Sequence, residues 1–457
     1  MKKYFIISSL VFCGALFVFL FIFWTSSTKK HENPHSIYVS QAIFSKHSGT
    51  FENPYRTIQE AVDHANAGDT IYIRRGVYHE KLEVNKSGKA EHWLTIRNYA
   101  DEKVIIDGKN QTVTSDMQGL INIENHSYIR ISGLLIENFV SKNESVPAGV
   151  LISGDANHIA LSHLNIQHIE NINSDSSQAN AHAIGVYGSN SKYPIESLSI
   201  TDCEISNNRL GQSETVAING NVSNFNITSN KIHDNDNIGI DLIGFEGTAG
   251  ENDFAREGTI SKNKIWNIST SHNPAYGNSP SAAGIYSDGA RHVMIEQNII
   301  SNSDIGIEAA SEHFGKSTQD IIIRNNLITH CKAIAGIAFG GYDKKRGSAS
   351  NIKIINNTLY QNGSQILIQA YAQYNSNLIQ NNILDGSEQI SGDPQNIVIN
   401  HNLMGNPDFV NAGDGNFHLK KSSKAYSAGV ESRFVGTEDL NGDPRTINGK
   451  INIGAFQ

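Results

Sequence analysis

Cysteine is nearly absent, with three in 457 residues. Cys13 falls in an apolar N-terminal run, and Cys203 and Cys331 are several repeats apart, so no disulfide framework is expected and both read as buried free thiols. No CxxC or His/Cys metal cluster appears in the sequence. Charge is sparse at 18% and leans acidic, with 36 Lys+Arg against 45 Asp+Glu. The first thirty residues hold only Lys2, Lys3, Lys29 and Lys30 as charges, so removing those four from a net −9 leaves −13 on the rest. Such a body is a poor nucleic-acid binder. No composition shift divides the chain, although its length exceeds one ordinary globular core.

What is present in place of these is an internal repeat. An apolar–x–x–Asn–x–apolar unit recurs around Asn230, Asn263, Asn298, Asn326, Asn357, Asn382 and Asn402. Repeats of 20–50 residues signal stacked architectures. Each unit holds two short alternating strands, and the Asn suits the bend between them because it tolerates left-handed backbone and bonds locally. Stacked coils would set these amides in a ladder, each donating to the next coil and accepting from the previous one. That satisfies groups that are costly to bury alone. The expected fold is all-β: a single right-handed parallel β-helix, in which length adds coils without enlarging one core. Leucine-rich repeats and propellers fit less well, because the leucine pattern is absent and the spacing is irregular.

Residues 1–30 read as a membrane anchor or signal segment. Residues 4–24 are uncharged, mostly apolar and long enough to span a bilayer, behind Lys2 and Lys3. The positive flank stays inside, so the body is expected to be exported: held outside the cytoplasm, or secreted if the segment is cleaved. Residues 31–119 are assigned to an N-terminal cap and first coils, with Thr57-Ile58-Gln59-Glu60 as a capping box opening a short helix. The repeats occupy 120–405, and 406–457 are expected to fold back as a C-terminal cap.

The stretch Asn53-Pro54-Tyr55-Arg56-Thr57-Ile58-Gln59-Glu60-Ala61, then Ala67-Gly68-Asp69-Thr70-Ile71-Tyr72-Ile73 and Gly76-Val77-Tyr78, resembles the opening of exported right-handed β-helix proteins. That group includes pectate lyase-like polysaccharide lyases. Asn406-Pro407-Asp408-Phe409-Val410, Phe417-His418-Leu419 and Asn452-Ile453-Gly454-Ala455-Phe456-Gln457 are similar to its tail. The resemblance covers nearly the whole chain beyond the leader and implies fold and export; activity varies widely on this scaffold.

Aligning the Gly-Ile strands at Gly239, Gly284, Gly306 and Gly336 makes the Ile column inward. The Gly column and the position after each Ile are then expected to face outward, stacking Asp241, Tyr286, Glu308 and Ala338, with Asp288 pointing the same way. Long loops at 245–257, 311–319 and 341–350, around one short turn, outline a cleft. Its expected walls carry Glu246, Arg256, Glu312, His313, Lys316, Tyr342, Lys344, Lys345 and Arg346.

Two chemistries fit this cleft. In a polysaccharide lyase, Asp241, Asp288, Glu308 and Glu312 hold Ca²⁺. Asp288, Arg256, Tyr342 and Lys345 bind the acidic glycan. The resembling lyases use Lys or Arg as base, which points to Lys344, Arg346 or Lys316, with Tyr286 or His313 donating to the leaving oxygen. In a glycoside hydrolase, two of Asp241, Asp288 and Glu308 act as acid and base or nucleophile without metal. The Asn-Thr-Asp and Gly-His-Gly signatures of polygalacturonase-type helices are absent. The leading expectation is β-elimination of an acidic polysaccharide, with hydrolase, uronate epimerase and non-catalytic glycan-binding alternatives. His233-Asp234-Asn235-Asp236 and Asp439-Leu440-Asn441-Gly442-Asp443 read as solvated turns.

Overall fold

The computed structural model describes residues 35–42, 46–343, 345–370, 376–395 and 397–457. Three parallel sheets of fourteen, eleven and twelve strands run the length of this body, here called sheets I, II and III. Each coil passes from sheet I to III to II, so every neighbour in a sheet comes from the adjacent coil. This is a parallel β-helix. Leader residues 4–24 lie outside the described residues, and among those described no helix is long and apolar enough to cross a membrane.

Inward columns of branched aliphatics set the register. In sheet II, Ile121, Val150, Ile184, Val216, Ile240, Ile285, Ile307, Ile337, Ile366 and Ile390 are direct partners. A slip of one residue would turn the whole column to solvent, so burial pins the pairing. Most of this column is fully buried in one continuous core.

The asparagine ladder occupies the corner between sheets I and III. Asn230 Nδ2 donates to Asn263 Oδ1 at 3.0 Å and to the Ile200 carbonyl of the previous coil at 2.9 Å. The pattern repeats at Asn263, Asn298, Asn326, Asn357 and Asn382, ending on Asn402. Cys203 takes the place before Asn230, its N–H donating to Asn230 Oδ1. One expectation needs correction. The left-handed residue is the one before each rung: Ser229, Lys262, Gln297, Asn325, Asn356, Asn381 and His401 have φ between 51° and 61°. The ladder Asn is selected for its amide, and its neighbour turns the chain.

The capping helix forms at Ile58–His64 against the first strands of sheets I and II. Thr57 Oγ1 accepts from the Glu60 N–H at 3.1 Å. Glu60 reaches back to the N–H of Arg56, one residue earlier than a capping box requires, while Glu80 accepts from the N–H groups of Ile58 and Gln59. Beyond Met404 the chain leaves the coils and doubles back. Phe409 and Phe417 pack with Leu327 and Ile383. The side chains of Asn325, Asn356 and Asn381, the left-handed corner residues, then bind the backbone of the tail.

Candidate functional site

The outward column of sheet II runs Ala217, Asp241, Tyr286, Glu308, Ala338, Leu367 in unbroken register. The expected stack of Asp241, Tyr286, Glu308 and Ala338 is therefore the observed one. Adjacent coils lie about 4.8 Å apart. Asp288 sits two residues further along its strand, beside Ala310.

The glycine column does not face outward. A Cβ on Gly306 would lie 2.4 Å from the Gly336 carbonyl and 2.4 Å from Ile328 Cγ2, and one on Gly284 would press on Ile300 and Ile265. Those isoleucines belong to the inner column of sheet III. The residues before the glycines, Ala283, Ile305 and Ala335, pack instead with Tyr286 and Ala338. Strict alternation fails here because the strand enters sheet II from a corner, where only glycine permits backbone to approach the core this closely.

The acids form an electrostatic unit. Asp241 is 3% exposed and Asp288 4%. Burial, and then repulsion from the other acids, hold both carboxyls well above the usual range: Glu214 and Asp288 act on Asp241, Glu312 and Glu246 on Asp288. Burial also pushes Glu308 to about 7 and Glu214 to about 8. Hydrogen bonds are unevenly shared. Asp288 Oδ1 accepts from the Glu312 N–H at 2.7 Å, and Glu308 Oε1 from Gln369 Nε2 at 2.7 Å. Asp241 Oδ1 is buried without any donor. Tyr286 is buried, and its hydroxyl donates to Glu312 Oε1 at 3.4 Å. Among the described residues no three His, Cys, Asp or Glu side chains converge on a point that could hold a metal ion. The side chains of Asp241, Asp288, Glu308 and Glu312, expected as calcium ligands, share a face without forming a cage.

The walls are partly as expected. Arg346 is paired with Glu312 at 3.2 Å and Asp343 at 2.8 Å. Burial works against its charge, but Glu312 and Asp343 outweigh that and raise its pKa, which disfavours it as a base. Lys316 Nζ lies 5.0 Å from the centre of the Phe245 ring. Tyr342 is 72% exposed, with Arg346 against its ring. His313 and Lys345 lie in these loops, where the Lys345 N–H donates to Asp343. Lys344 falls outside the described residues. Arg256 is not a cleft residue: its backbone bridges Ser223 and Arg291 in sheet I, and its charge faces Glu257 and Glu196.

Three residues escape the alignment. Glu214 precedes the strand Val216–Gly220, in a coil with no Gly-Ile signature. His182 is 1% exposed and its Nδ1 faces the Glu214 carbonyl at 2.9 Å, so Nδ1 carries the proton. Its Nε2 therefore accepts from the Tyr187 hydroxyl at 2.8 Å, and burial lowers the imidazole to about 4, keeping it neutral. In that strand the glycine follows the isoleucine, and the pattern gave no alert.

Residues 37–199 match the family described as Pel9A-like, right handed beta helix region, a stretch that ends before the first acid of the cleft. The uncharacterised protein YwoF of Bacillus subtilis (strain 168) is 39% identical over 417 residues, 88% of this chain and 86% of that protein. Among solved structures, pectate lyase Pel9A aligns with a TM-score of 0.54 at 15% identity, over 92% of this chain and 96% of its own. The GH136 lacto-N-biosidase of Eubacterium ramulus aligns with a TM-score of 0.54 at 14% identity, over 81% of this chain and 68% of its own. At such identities these two likenesses speak for the fold alone. The chain belongs to the family of YwoF, among the pectate lyase-like right-handed β-helix proteins.

Proposed function

We propose that this protein is a glycan-cleaving enzyme worked by the carboxyl groups of the sheet II cleft. The observation that carries the reading is the stacking of Asp241 and Glu308 two coils apart on one outward column, with Asp288 beside them. Burial and mutual repulsion favour the proton-carrying form of Asp241, the form a general acid at neutral pH requires. Glu308, with a pKa near 7, exchanges its proton in the same range and, two coils from Asp241, serves as the base for an attacking water. Two carboxyl groups of unequal proton affinity, flanking one bond, are the equipment of glycoside hydrolysis. Tyr286 and the Arg346–Glu312 pair hold the floor and wall in place.

The Pel9A-like stretch favours a second reading, β-elimination from a uronate. Lys316 is then the base, since Arg346 is engaged, and Tyr286 the donor to the leaving oxygen. Calcium would neutralise the substrate carboxylate in that reaction, but the acid side chains as they stand do not surround an ion. No step of the primary reading passes through a metal. The same proposal takes residues 4–24 as an anchor that leaves the catalytic body outside the cytoplasm, tested by protease accessibility on intact cells.

The test is a glycan panel digested with and without chelator. Hydrolysis gives new reducing ends and no absorbance at about 235 nm; elimination gives both. Chelator-sensitive absorbance on pectate or alginate would replace the primary reading with the second. Sugar inversion without cleavage would indicate an epimerase. Binding without turnover across the panel would refute enzymatic function.

A further inference from the structure

The cleft also carries information about substrate charge. Glu214, Asp288, Glu246 and Glu312 act electrostatically on Asp241, and Glu312, Glu246 and Glu308 on Asp288. Among the described wall cations, Arg346 is already paired with Glu312 and Asp343, Lys316 is seated on the Phe245 ring, and Lys345 lies in the loop at Asp343. The acids hold their protons because they are buried and their charges repel, so a uronate carboxylate finds no counter-charge on this floor, whereas a cation placed there favours their ionised forms. The floor calls for a positive, hydrogen-donating group.

Asp241 Oδ1 is a second and independent pointer. It is buried in a residue 3% exposed, faces the acid cluster and accepts no hydrogen bond. A buried acceptor without a donor is unfavourable, so a ligand N–H placed there gains by satisfying it. A divalent cation needs several oxygens closing around one point, which the acids do not provide. An ammonium needs only separate acceptors for its three donors. The rim supplies the apolar half of the recognition. Phe314 is 78% exposed and Tyr342 72%, on adjoining loops joined by the Gly347 N–H to Ser311 carbonyl bond. Exposed aromatic faces bordering a polar floor suit the flat C–H faces of pyranose rings.

We propose that the cleft binds a glycan bearing free amino groups, an amino-sugar polymer, with one ammonium seated at Asp241 and flanking rings laid on Phe314 and Tyr342. This rests on the reading of the cleft as a glycan site, and names the class of glycan.

The test is calorimetric titration of the full-length chain, purified in a mild detergent, with glucosamine oligomers, their N-acetylated counterparts and oligogalacturonates. The expected result is binding of the free-amine oligomer about tenfold tighter than the N-acetylated one, or more. Oligogalacturonate should bind weakest. Asp241→Asn removes the preference for the amine, whereas Phe314→Ala and Tyr342→Ala weaken both oligomers and, being exposed, leave thermal stability unchanged. Equal affinity for amine and N-acetyl oligomers, or preference for the uronate, overturns the proposal. Cleavage of some glycan without amine preference would sink this inference and leave the enzyme reading standing. Tight amine-dependent binding without cleavage would do the reverse.

Discussion

Asn326→Ala removes one rung from the middle of the ladder. The Asn326 side chain accepts from the Asn298 N–H at 2.8 Å and from Asn298 Nδ2 at 3.0 Å. It donates to the Ile295 carbonyl at 3.0 Å and to Asn357 Oδ1 at 2.9 Å. The residue is fully buried. Truncation therefore strands one backbone N–H and one carbonyl in the core, and leaves the Asn298 amide one acceptor short. At about 1–3 kcal/mol for each unsatisfied buried group, the two backbone groups alone predict a loss of about 4 kcal/mol. Asn402→Ala is the internal control. Asn402 is the last rung and half-exposed; its Oδ1 accepts from the Asn382 N–H and Nδ2, and its amide donates to the Ile379 and Asn400 carbonyls. At this open end of the ladder its loss should be smaller, about 2 kcal/mol. Urea unfolding followed by far-UV circular dichroism compares the two, and separate unfolding of the C-terminal coils would show as a second transition. A penalty under about 1 kcal/mol for Asn326→Ala, or one equal to that of Asn402→Ala, would refute the argument that the ladder holds the stack together.

Further predictions concern the sheet II strands and their acids. Gly306→Ala places a methyl 2.4 Å from both a backbone oxygen and a core isoleucine; a loss of about 1–3 kcal/mol in thermal unfolding is expected, and an unchanged midpoint would contradict the inward reading of the glycine column. Glu214 and Glu308 titrate at about 8 and about 7 in the folded chain, above their unfolded values. The folded state therefore holds more protons, and the stability these groups contribute is complete below pH about 4.5 and is lost as pH rises to about 8. Glu214→Gln with Glu308→Gln should flatten that decline, by on the order of 1 kcal/mol per pH unit between pH 5 and 7. Parallel pH profiles for parent and variant would contradict the assignment.

Much of the fold was legible because a solenoid repeats its constraints. Ile227, Ile260, Ile295 and Ile323 answer to one inner column and Asn230, Asn263, Asn298 and Asn326 to one corner, so each coil checks the next. The acid column followed from that register. What was hidden depends on departures from the repeat. The inward turn of Gly306 comes from a broken alternation at a corner, which no period-two reading reveals. Arg256 looked like a wall residue because its loop is long, yet the loop's end rejoins sheet I. Glu214 and the His182–Tyr187 pair sit in coils whose strands lack the Gly-Ile signature. The path of the tail was set by Asn325, Asn356 and Asn381, whose side chains leave the coils to hold it, and a sequence does not say which way a corner asparagine points.

The central claim is that the carboxyl column of sheet II does the chemistry. Once the glycan panel supplies a substrate, kcat of the Asp241→Asn, Glu308→Gln double variant tests it most directly, with thermal unfolding to confirm a native fold. Both substitutions keep the shape and remove the titrating proton. The account predicts a fall in kcat of about 100-fold or more, with substrate binding still measurable. A folded double variant with the parent's kcat would contradict it.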